Sequence, residues 1–362
     1  MRFYLIGAGF ISRTHAEAIY KRLPHSDVEL KVAEPLEKNL SEFLSLFPDA
    51  IGYRNVSDML SEEPQETDIV IVGTPPSTHY ELAMLGLKSG RHVLCEKPLV
   101  MDSQQSRQLL DETMSRGRLL GCCSNRFLGN PKLEEVKRLV RQRQLGEPYK
   151  VTYIHRNERG RPGIEYQPWS RWFLDRSRSG GGVLIDWGPY DMAILNDILQ
   201  PVKVEVLSAW TSRPLTAADP TDCVNDVEQH VAATLRYELV DASNVMVHYE
   251  RSNVTHGQPY EITEIEGTTG AVSWDTYFKG DSVTYGSDLE GRRVIQTKSL
   301  PESTEYGYMD NPVRYFVDYV TSGSPFAIIN EQTSFNFECL MAIYACAESG
   351  EQQTIIREGV LQ

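Results

Sequence analysis

The sequence predicts an α/β domain built on a doubly wound parallel sheet, followed by an α+β domain with a large, open, mainly antiparallel sheet flanked by helices. Residues 1–124 alternate short apolar runs with helical patterns, as βαβ units do. Beyond about residue 200, β-patterned segments follow one another at close spacing, which is typical of antiparallel sheets. The 362 residues suit two domains, expected at 1–124 and 125–362, with the C-terminal helices able to pack back toward the first.

The first domain is expected to contain five strands. The run Asp68–Gly73 is continuously β-branched, which indicates a strand buried on both faces. Shorter apolar runs predict the other strands at Phe3–Gly7, Val28–Ala33, His92–Cys95 and Leu119–Ser124. Helical patterns separate them at Phe10–Arg22, Glu37–Leu46, Ser57–Leu60, Thr78–Ser89 and Ser103–Arg116.

The second domain opens with a predicted helix, Leu133–Arg143, and a strand, Tyr149–His155. A loop rich in Trp, Arg and Pro leads to Gly180-Gly181-Gly182 and a helix, Val183–Leu199. Further strands are expected at Val202–Trp210, Gln229–Tyr237, Ser243–Arg251, Tyr260–Glu266, Ala271–Trp274, Ser282–Tyr285 and Val294–Thr297. Helices at Pro312–Thr321 and Ser334–Ser349 close the chain.

Composition argues against several classes of protein. The formal net charge of −14 makes nucleic acid and anionic membranes poor partners, and no segment approaches 18 continuous apolar residues. The six cysteines form neither a C-x-x-C pair nor a Cys/His zinc spacing, so we expect no metal and a reduced, cytoplasmic protein. The charge is uneven, because residues 132–178 hold twelve Lys/Arg against six acids.

A dinucleotide-binding pattern stands at the chain start. Residues 7–12 read G-A-G-F-I-S, a G-x-G-x-x-S turn between a predicted strand and a predicted helix. The first glycine permits the turn, the second lets a pyrophosphate approach the backbone, and the third position needs a small residue such as Ser12. The following helix N-terminus supplies free N–H groups for phosphates. We therefore predict Gly7, Gly9, Phe10 and Ile11 in the cofactor site.

Glu34 follows the second predicted strand and lies 25 residues after Gly9. A carboxylate there accepts hydrogen bonds from a ribose 2′-OH and repels a 2′-phosphate, so we predict NAD in preference to NADP. The alternative is a solvated loop acid.

Two further segments follow predicted parallel strands: T-P-P-S-T-H at residues 74–79 and E-K-P at residues 96–98. Ligands bind beyond the carboxyl ends of such strands. We therefore expect Thr74 and Pro75 beside the cofactor and His79 shaping its pocket, with Lys97 at the same sheet edge.

In order, G-A-G-F-I-S, T-P-P-S-T-H-Y, G-R-H-V-L-C-E-K-P-L and G-G-G-V-L-I-D-W-G-P-Y resemble the Gfo/Idh/MocA oxidoreductase family. The resemblance is close over about the first 125 residues, extends through about Pro201, and then fades to general architecture. It implies a Rossmann domain for a nicotinamide cofactor and a second domain that binds substrate.

The resemblance also implies catalytic groups. In the family, the lysine at the position of Lys97 lies beside the nicotinamide and helps move a proton, and the proline at the position of Pro98 usually follows a cis bond. The family pattern D-x-G-x-H reads D-W-G-P-Y here, so Tyr190 replaces histidine, as in glucose–fructose oxidoreductase and dimeric dihydrodiol dehydrogenase. A phenol can donate and accept a proton, so we predict Tyr190 as acid/base tuned by Lys97, and Asp186, one helical turn earlier, as the orienting group.

The alternative is that Tyr190 only packs against substrate. Lys97 would then be the sole proton carrier, or the chain would be catalytically silent.

By the same resemblance, Glu96 contacts the nicotinamide ribose and Arg126 lies near the cofactor. Their alternatives are a loop carboxylate and a surface salt-bridge partner. Further candidates for substrate binding precede the triple glycine: Arg156, Trp169, Arg171 and Trp172. The alternative for the tryptophans is aromatic packing between sheet and helix.

The resemblance implies hydride transfer to or from a secondary alcohol or ketone of a sugar, inositol or other polyol. The net charge of +6 in residues 132–178 suggests an anionic substrate. The rival functions are an NAD-dependent glycoside hydrolase or lyase that uses transient oxidation, and a non-catalytic ligand sensor. By analogy, we expect a homodimer or homotetramer formed through the second-domain sheet.

Overall fold

The computed structural model describes residues 1–158, 168–217, 219–277, 279–301 and 305–357. The chain divides into two units. The first comprises Met1–Arg126 and Glu305–Ser334, and the second comprises Phe127–Thr304 and Phe335–Gln362. The segment Glu305–Ser334 belongs to the first unit, although it lies within the second predicted range, whose C-terminal helices were expected to be able to pack back toward the first domain.

The described helices and strands follow the predicted order. The helices are α1 (Phe10–Arg22), α2 (Glu37–Leu46), α3 (Val56–Met59), α4 (His79–Lys88), α5 (Ser103–Arg116), α6 (Pro131–Arg141), α7 (Arg176–Ser179), α8 (Val183–Leu199), α9 (Asn311–Ser322) and α10 (Asn330–Ser349). The strands are β1 (Arg2–Ile6), β2 (Glu29–Ala33), β3 (Ile51–Tyr53), β4 (Ile69–Val72), β5 (His92–Cys95), β6 (Leu120–Cys122), β7 (Pro148–Glu158), β8 (Lys203–Ser212), β9 (His230–Glu238), β10 (Asn244–Thr255), β11 (Tyr260–Gly267), β12 (Gly270–Trp274), β13 (Ser282–Leu289), β14 (Arg292–Ser299) and β15 (Gln353–Ile356).

The sheet of the first unit has six parallel strands in the order β3-β2-β1-β4-β5-β6. Every residue of β4 is buried, which confirms the prediction of a strand covered on both faces. The strand order reverses between β1 and β4, the position where doubly wound sheets bind ligands beyond their carboxyl ends.

The core of the first unit includes a contribution from far along the chain. Phe3 and Leu5 of β1 and Ile71 of β4 belong to the same buried apolar cluster as Val313 and Phe316 of α9. The close approach of α9 explains its place in this unit, since burial of these side chains removes apolar surface from water.

The sheet of the second unit has nine strands in the order β14-β13-β12-β11-β7-β10-β9-β8-β15. Among the strand pairs that the structure describes in this sheet, only β7–β10 is parallel, so the predicted mainly antiparallel sheet is confirmed. Burial alternates strictly along β9, which leaves one face covered and the other partly open. The helix α8 packs on β9 and β10, on the covered face.

Three short elements were not predicted: β3, α7 and β15. β3 is a three-residue edge strand with Gly52 at its centre, and β15 is a four-residue edge strand that pairs with β8. The two edge strands depend on neighbouring strands rather than on their own patterns. Among the described residues, no helix is long and apolar enough to cross a membrane.

Candidate active site

The glycine turn joins β1 to α1 at the carboxyl edge of the first sheet. Gly7 has a φ of +95°, and a Cβ there would come within 3.0 Å of the Gly73 carbonyl oxygen. A Cβ at Gly9 would meet no atom within 4 Å, so space is open beside this backbone. Gly9 caps α1 without a side-chain hydrogen bond. The open space and uncapped helix start fit a diphosphate.

Ser12, at the third position of the motif, is buried against the end of β4. Its Oγ lies 3.5 Å from the Gly73 carbonyl oxygen, and a Cβ on Gly73 would come within 2.4 Å of that hydroxyl. A serine is therefore accommodated because glycine stands opposite, and the departure from the usual Gly/Ala leaves the turn intact.

Glu34 lies at the glycine turn, at the end of β2. Its carboxylate accepts hydrogen bonds from the backbone N–H of Ala8 and of Leu36, both at 3.0 Å, and its side chain is buried. The alternative of a solvated loop acid is therefore wrong. Phe10, next to this turn, is 72% exposed, and Ile11 is half-buried.

His79 connects two loops at the same sheet edge. Its Nδ1 lies 2.7 Å from the Pro98 carbonyl oxygen and its Nε2 lies 2.8 Å from the Thr74 carbonyl oxygen. Burial lowers the pKa of His79, although the facing carbonyls oppose that change. The ring is fully buried, so it fixes the loops after β4 and β5 in place. Thr74 and Pro75 are half-buried on the first of these loops.

Glu96 forms a buried charge network next to Lys97. Its Oε1 lies 3.0 Å from His15 Nε2 and 3.2 Å from Arg126 Nη2, and its Oε2 accepts the Lys97 backbone N–H at 3.0 Å. Burial opposes ionisation, but the Arg126 charge, the His15 hydrogen bond and the Lys97 charge lower the pKa of Glu96. Arg126 is itself buried, so the interpretation as a surface salt-bridge partner is wrong.

The Lys97–Pro98 peptide bond is cis, as the resemblance implied. Lys97 itself is half-buried. Its backbone is held by Glu96 on one side and, through the Pro98 carbonyl, by His79 on the other. The backbone of Lys97 is therefore held in a fixed position at the carboxyl edge of the sheet.

Among the described residues, His15, Glu96 and Cys123 bring three potential metal-ligand atoms within 4.8 Å of one another. The Arg126 guanidinium already faces the same carboxylate oxygen as His15, and burial raises the pKa of the Cys123 thiol well above its usual value. A cation would meet positive charge and a protonated thiol here, so the cluster is better explained as a charge network. The expectation of no metal stays a prediction.

In the second unit, Asp186 and Tyr190 both lie on α8, one turn apart. Asp186 is in the first turn, where the helix dipole favours a negative charge. Tyr190 is 3% exposed and is surrounded by the rings of Phe127, Trp187 and Tyr277, with centroids 5.0, 6.1 and 6.5 Å away. The predicted helix is confirmed, and these rings restrict the movement of Tyr190.

Two models of one protein family match the chain. The model of the oxidoreductase family with an NAD-binding Rossmann fold matches residues 1–122, and the model of the GFO/IDH/MocA C-terminal domain matches residues 133–273. The chain belongs to the Gfo/Idh/MocA oxidoreductase family. The second match continues to residue 273, well beyond Pro201, where the resemblance was expected to fade.

Relatives of the family differ in how much of the chain they match. Levoglucosan dehydrogenase of Pseudarthrobacter phenanthrenivorans is 25% identical over 84% of this chain and 81% of its own length. Inositol 2-dehydrogenase 4 of Saccharopolyspora erythraea is 30% identical, but the match spans only 46% of this chain and 48% of the relative. A solved levoglucosan dehydrogenase, in complex with NADH and levoglucosan, shares the fold with a TM-score of 0.79 at 17% identity, covering 98% of this chain and 99% of that one.

One of the predicted substrate-binding residues, Arg156, lies away from α8 in the second unit. Arg156 lies on β7 beside Glu250 at 3.5 Å and Tyr260 at 3.4 Å, on the open face of the sheet. His155, the next residue back, is buried on the opposite face. The structure therefore separates Arg156 from Asp186 and Tyr190, because neighbouring strand residues point to opposite faces.

The other candidates lie in the segment Pro168–Leu174. Arg171 is paired with Asp222 at 2.5 Å, and the half-buried Trp172 stacks on Phe173 with centroids 4.0 Å apart. This stack lies within one segment, so both the substrate role of Trp172 and its alternative, packing between sheet and helix, stay predictions. The side chain of Trp169 lies outside the described residues.

A buried charge network next to Tyr190 has no counterpart among the residues predicted from the sequence. Asp191 accepts hydrogen bonds from Arg251 Nε at 2.8 Å, from Arg251 Nη2 at 2.7 Å, from the Tyr249 hydroxyl at 2.8 Å and from the Tyr277 hydroxyl. Burial opposes ionisation, but the Arg251 charge lowers the pKa of Asp191. The available signal was Arg251 itself, a charge at an inward position of an alternating strand.

Several described Lys and Arg side chains of residues 132–178 pair with acids from outside that segment. Lys137 pairs with Asp197 at 2.8 Å, and Lys150 pairs with Glu266 at 3.1 Å. Further outside partners are Asp241 for Arg143, Asp222 for Arg171 and Glu348 for Arg176. The charge count of +6 therefore overstates the unpaired positive charge on the described part of this segment, and the anionic substrate stays a prediction.

Proposed function

We propose that this chain is an NAD-dependent dehydrogenase that transfers a hydride to or from a secondary alcohol or ketone of an uncharged sugar or polyol. The observation that carries the proposal is the fixed backbone of Lys97 at the sheet edge that also holds the glycine turn and Glu34. The names of the relatives, levoglucosan dehydrogenase and inositol 2-dehydrogenase, support a polyhydroxylated substrate. The outside acids that pair with the described Lys and Arg of residues 132–178 favour an uncharged one.

When bound, the nicotinamide cofactor accepts or supplies the hydride. Gly7, Gly9 and Glu34 would hold it, with Glu34 favouring NAD. We assign the proton of the substrate oxygen to Lys97 and Tyr190, and the orientation of the substrate to Asp186. The ionised Glu96 keeps the Lys97 backbone in place, and the rings around Tyr190 limit the directions in which its hydroxyl can point.

The substrate class is tested with the purified protein and a panel of neutral sugars, cyclitols and anhydrosugars, each beside its phosphorylated or acid counterpart. We expect NADH formation with a neutral member. We expect kcat/KM about tenfold higher with NAD than with NADP, since about 1.4 kcal/mol of repulsion between Glu34 and a 2′-phosphate changes affinity tenfold. Turnover confined to phosphorylated sugars would contradict the uncharged substrate.

The same panel separates the rival functions. Turnover without net NADH change, with cofactor that co-purifies, would favour transient oxidation by a hydrolase or lyase. Tight NADH binding with no turnover of any member would favour the ligand sensor.

We further propose that the open face of the second-unit sheet joins two copies of the chain. Trp210 is 48% exposed and Ile262 is 41% exposed, and both lie on strands of this sheet. Exposed apolar side chains on a broad sheet are typical of a subunit contact. We expect Trp210→Glu to shift a dimer or tetramer toward smaller species in light scattering, while Val240→Glu, at an exposed turn, leaves the mass unchanged. A monomeric wild type would contradict the proposal.

A further inference from the structure

The helix α8 carries Asp186 and Tyr190. Its N-cap residue makes no side-chain hydrogen bond to the first turn. Gly182 occupies the N-cap position and offers no side chain. The first N–H groups of a helix have no partner within the helix and must find one elsewhere. Here the partner is Glu228, which lies 46 residues after Gly182, close to the start of β9.

One residue binds three consecutive backbone N–H groups at this helix start. Glu228 Oε2 accepts from Gly182 at 2.9 Å, its backbone carbonyl oxygen accepts from Val183 at 3.1 Å, and its Oε1 accepts from Leu184 at 3.0 Å. The Tyr344 hydroxyl also donates to Oε1, at 2.7 Å. Glu228 and Tyr344 are both buried, so water does not replace these bonds.

This arrangement accounts for the glycines before α8. A Cβ on Gly182 would lie 1.8 Å from the Glu228 carbonyl oxygen, and a Cβ on Gly181 would lie 2.2 Å from the Tyr344 hydroxyl oxygen. Neither position can carry a side chain while Glu228 and Tyr344 stay where they are. The two glycines are therefore required by the cap itself.

We propose that Glu228 is a positioning residue for the reaction, because it fixes the start of α8 and thereby the placement of Asp186 and Tyr190. The backbone N–H of Asp186 donates to the Gly182 carbonyl oxygen at 2.9 Å, so the capped residue and Asp186 are joined by one hydrogen bond. A carboxylate at a helix N-terminus is also favoured by the helix dipole. This inference rests on the proposed function of Asp186 and Tyr190.

The environment of Glu228 gives its cap a pH dependence. Burial raises the pKa of Glu228, although the Tyr344 hydroxyl and the N–H groups of Leu184 and Gly182 oppose the rise. Arg176 also faces the site over the Tyr344 ring at 5.4 Å, and it is paired with Glu348 at 2.7 Å. Between the ordinary and the raised pKa, the folded protein binds a proton that the unfolded chain does not. The contribution of Glu228 to stability therefore falls as the pH rises through that interval.

The test uses Glu228→Gln in the full-length protein. Glutamine keeps the size of the side chain but turns an NH₂ group toward one of the backbone N–H groups. We expect kcat to fall about 10- to 100-fold, as a small displacement of reacting groups does. We expect the NAD dissociation constant to stay within about twofold, as for independent sites. Hydrogen exchange should accelerate at residues 182 and 184, whose N–H groups the Glu228 side chain binds. The matched control, Glu348→Gln, breaks only an exposed ion pair and should change none of these values.

Several outcomes would overturn the proposal. An unchanged kcat would show that the cap does not position the reacting groups. Exchange that accelerates equally throughout the second unit would show a merely structural role. A stability difference between wild type and Glu228→Gln that does not vary with pH would contradict the raised pKa of Glu228. If the wild type turns over no member of the panel, the proposed function fails separately. Hydrogen exchange of Glu228→Gln then tests the Glu228 cap without activity. Loss of protection confined to the start of α8 supports the cap, and unchanged exchange contradicts it.

Discussion

Replacing Lys97 by methionine is expected to lower kcat by about 10²- to 10⁴-fold, the range that a positioned acid or base contributes. Methionine keeps the apolar part of the side chain and removes the ammonium group. The backbone bonds to Glu96 and His79 do not depend on the Lys97 side chain, so the loop should keep its conformation. The NAD dissociation constant, measured by NADH fluorescence or calorimetry, should therefore change far less than kcat.

The matched control is Lys88→Met, which removes an exposed ammonium at the end of α4 and should leave kcat unchanged. Tyr190→Phe separates the two interpretations of the phenol. A comparable loss of kcat would identify a proton carrier, whereas unchanged activity would leave Tyr190 as a packing group. If Lys97→Met and Tyr190→Phe both retain full activity, the proposed site is wrong.

Arg251→Met is expected to destabilise the second unit by about 3–5 kcal/mol, because it leaves the buried Asp191 carboxylate without its compensating charge. Arg251 and Asp191 are each at most 1% exposed, so water cannot take over the lost hydrogen bonds. Adding Asp191→Asn to this variant removes the second charge and should recover part of the loss. The control Arg236→Met breaks a partly exposed pair with Glu205 and should cost less than about 1 kcal/mol.

Tryptophan fluorescence during denaturant unfolding measures this loss in the second unit. All five tryptophans of the chain lie between residues 169 and 274, and the first unit contains none. An Arg251→Met midpoint equal to that of wild type would show that the Asp191 network contributes little to stability.

Much of the fold could be predicted because its patterns are local. The helices α1, α2, α5 and α8 and the strand β5 have the predicted bounds residue for residue. Their apolar periodicity lies within each element, as does the β-branched run of β4. Edge strands such as β15 lack that signal, because pairing with a neighbour decides whether they form.

The residues of the candidate site likewise differ in whether a local sequence pattern predicts them. The glycine turn, Glu34 and the Lys97 loop follow from short motifs and from strand order. The Asp191–Arg251 pair and the Glu228 cap join residues 60 and 46 positions apart, and no local pattern records such pairings. The pairing of the basic segment could not be predicted for the same reason, since several of its acidic partners lie outside the segment.

The presence of α9 in the core of the first unit has a consequence for biosynthesis. Phe316 packs against Gly121 of β6 so closely that a Cβ there would lie 2.7 Å from the ring, and β6 also forms a bridge with Ile329. The ribosome must synthesise residues 127–304 before it reaches Phe316 and Ile329. Part of the apolar core of the nucleotide-binding unit therefore stays uncovered until residues 127–304 of the second unit have been synthesised. A chain released early, at residue 126, would lack Val313 and Phe316 and would expose that surface to chaperones and proteases.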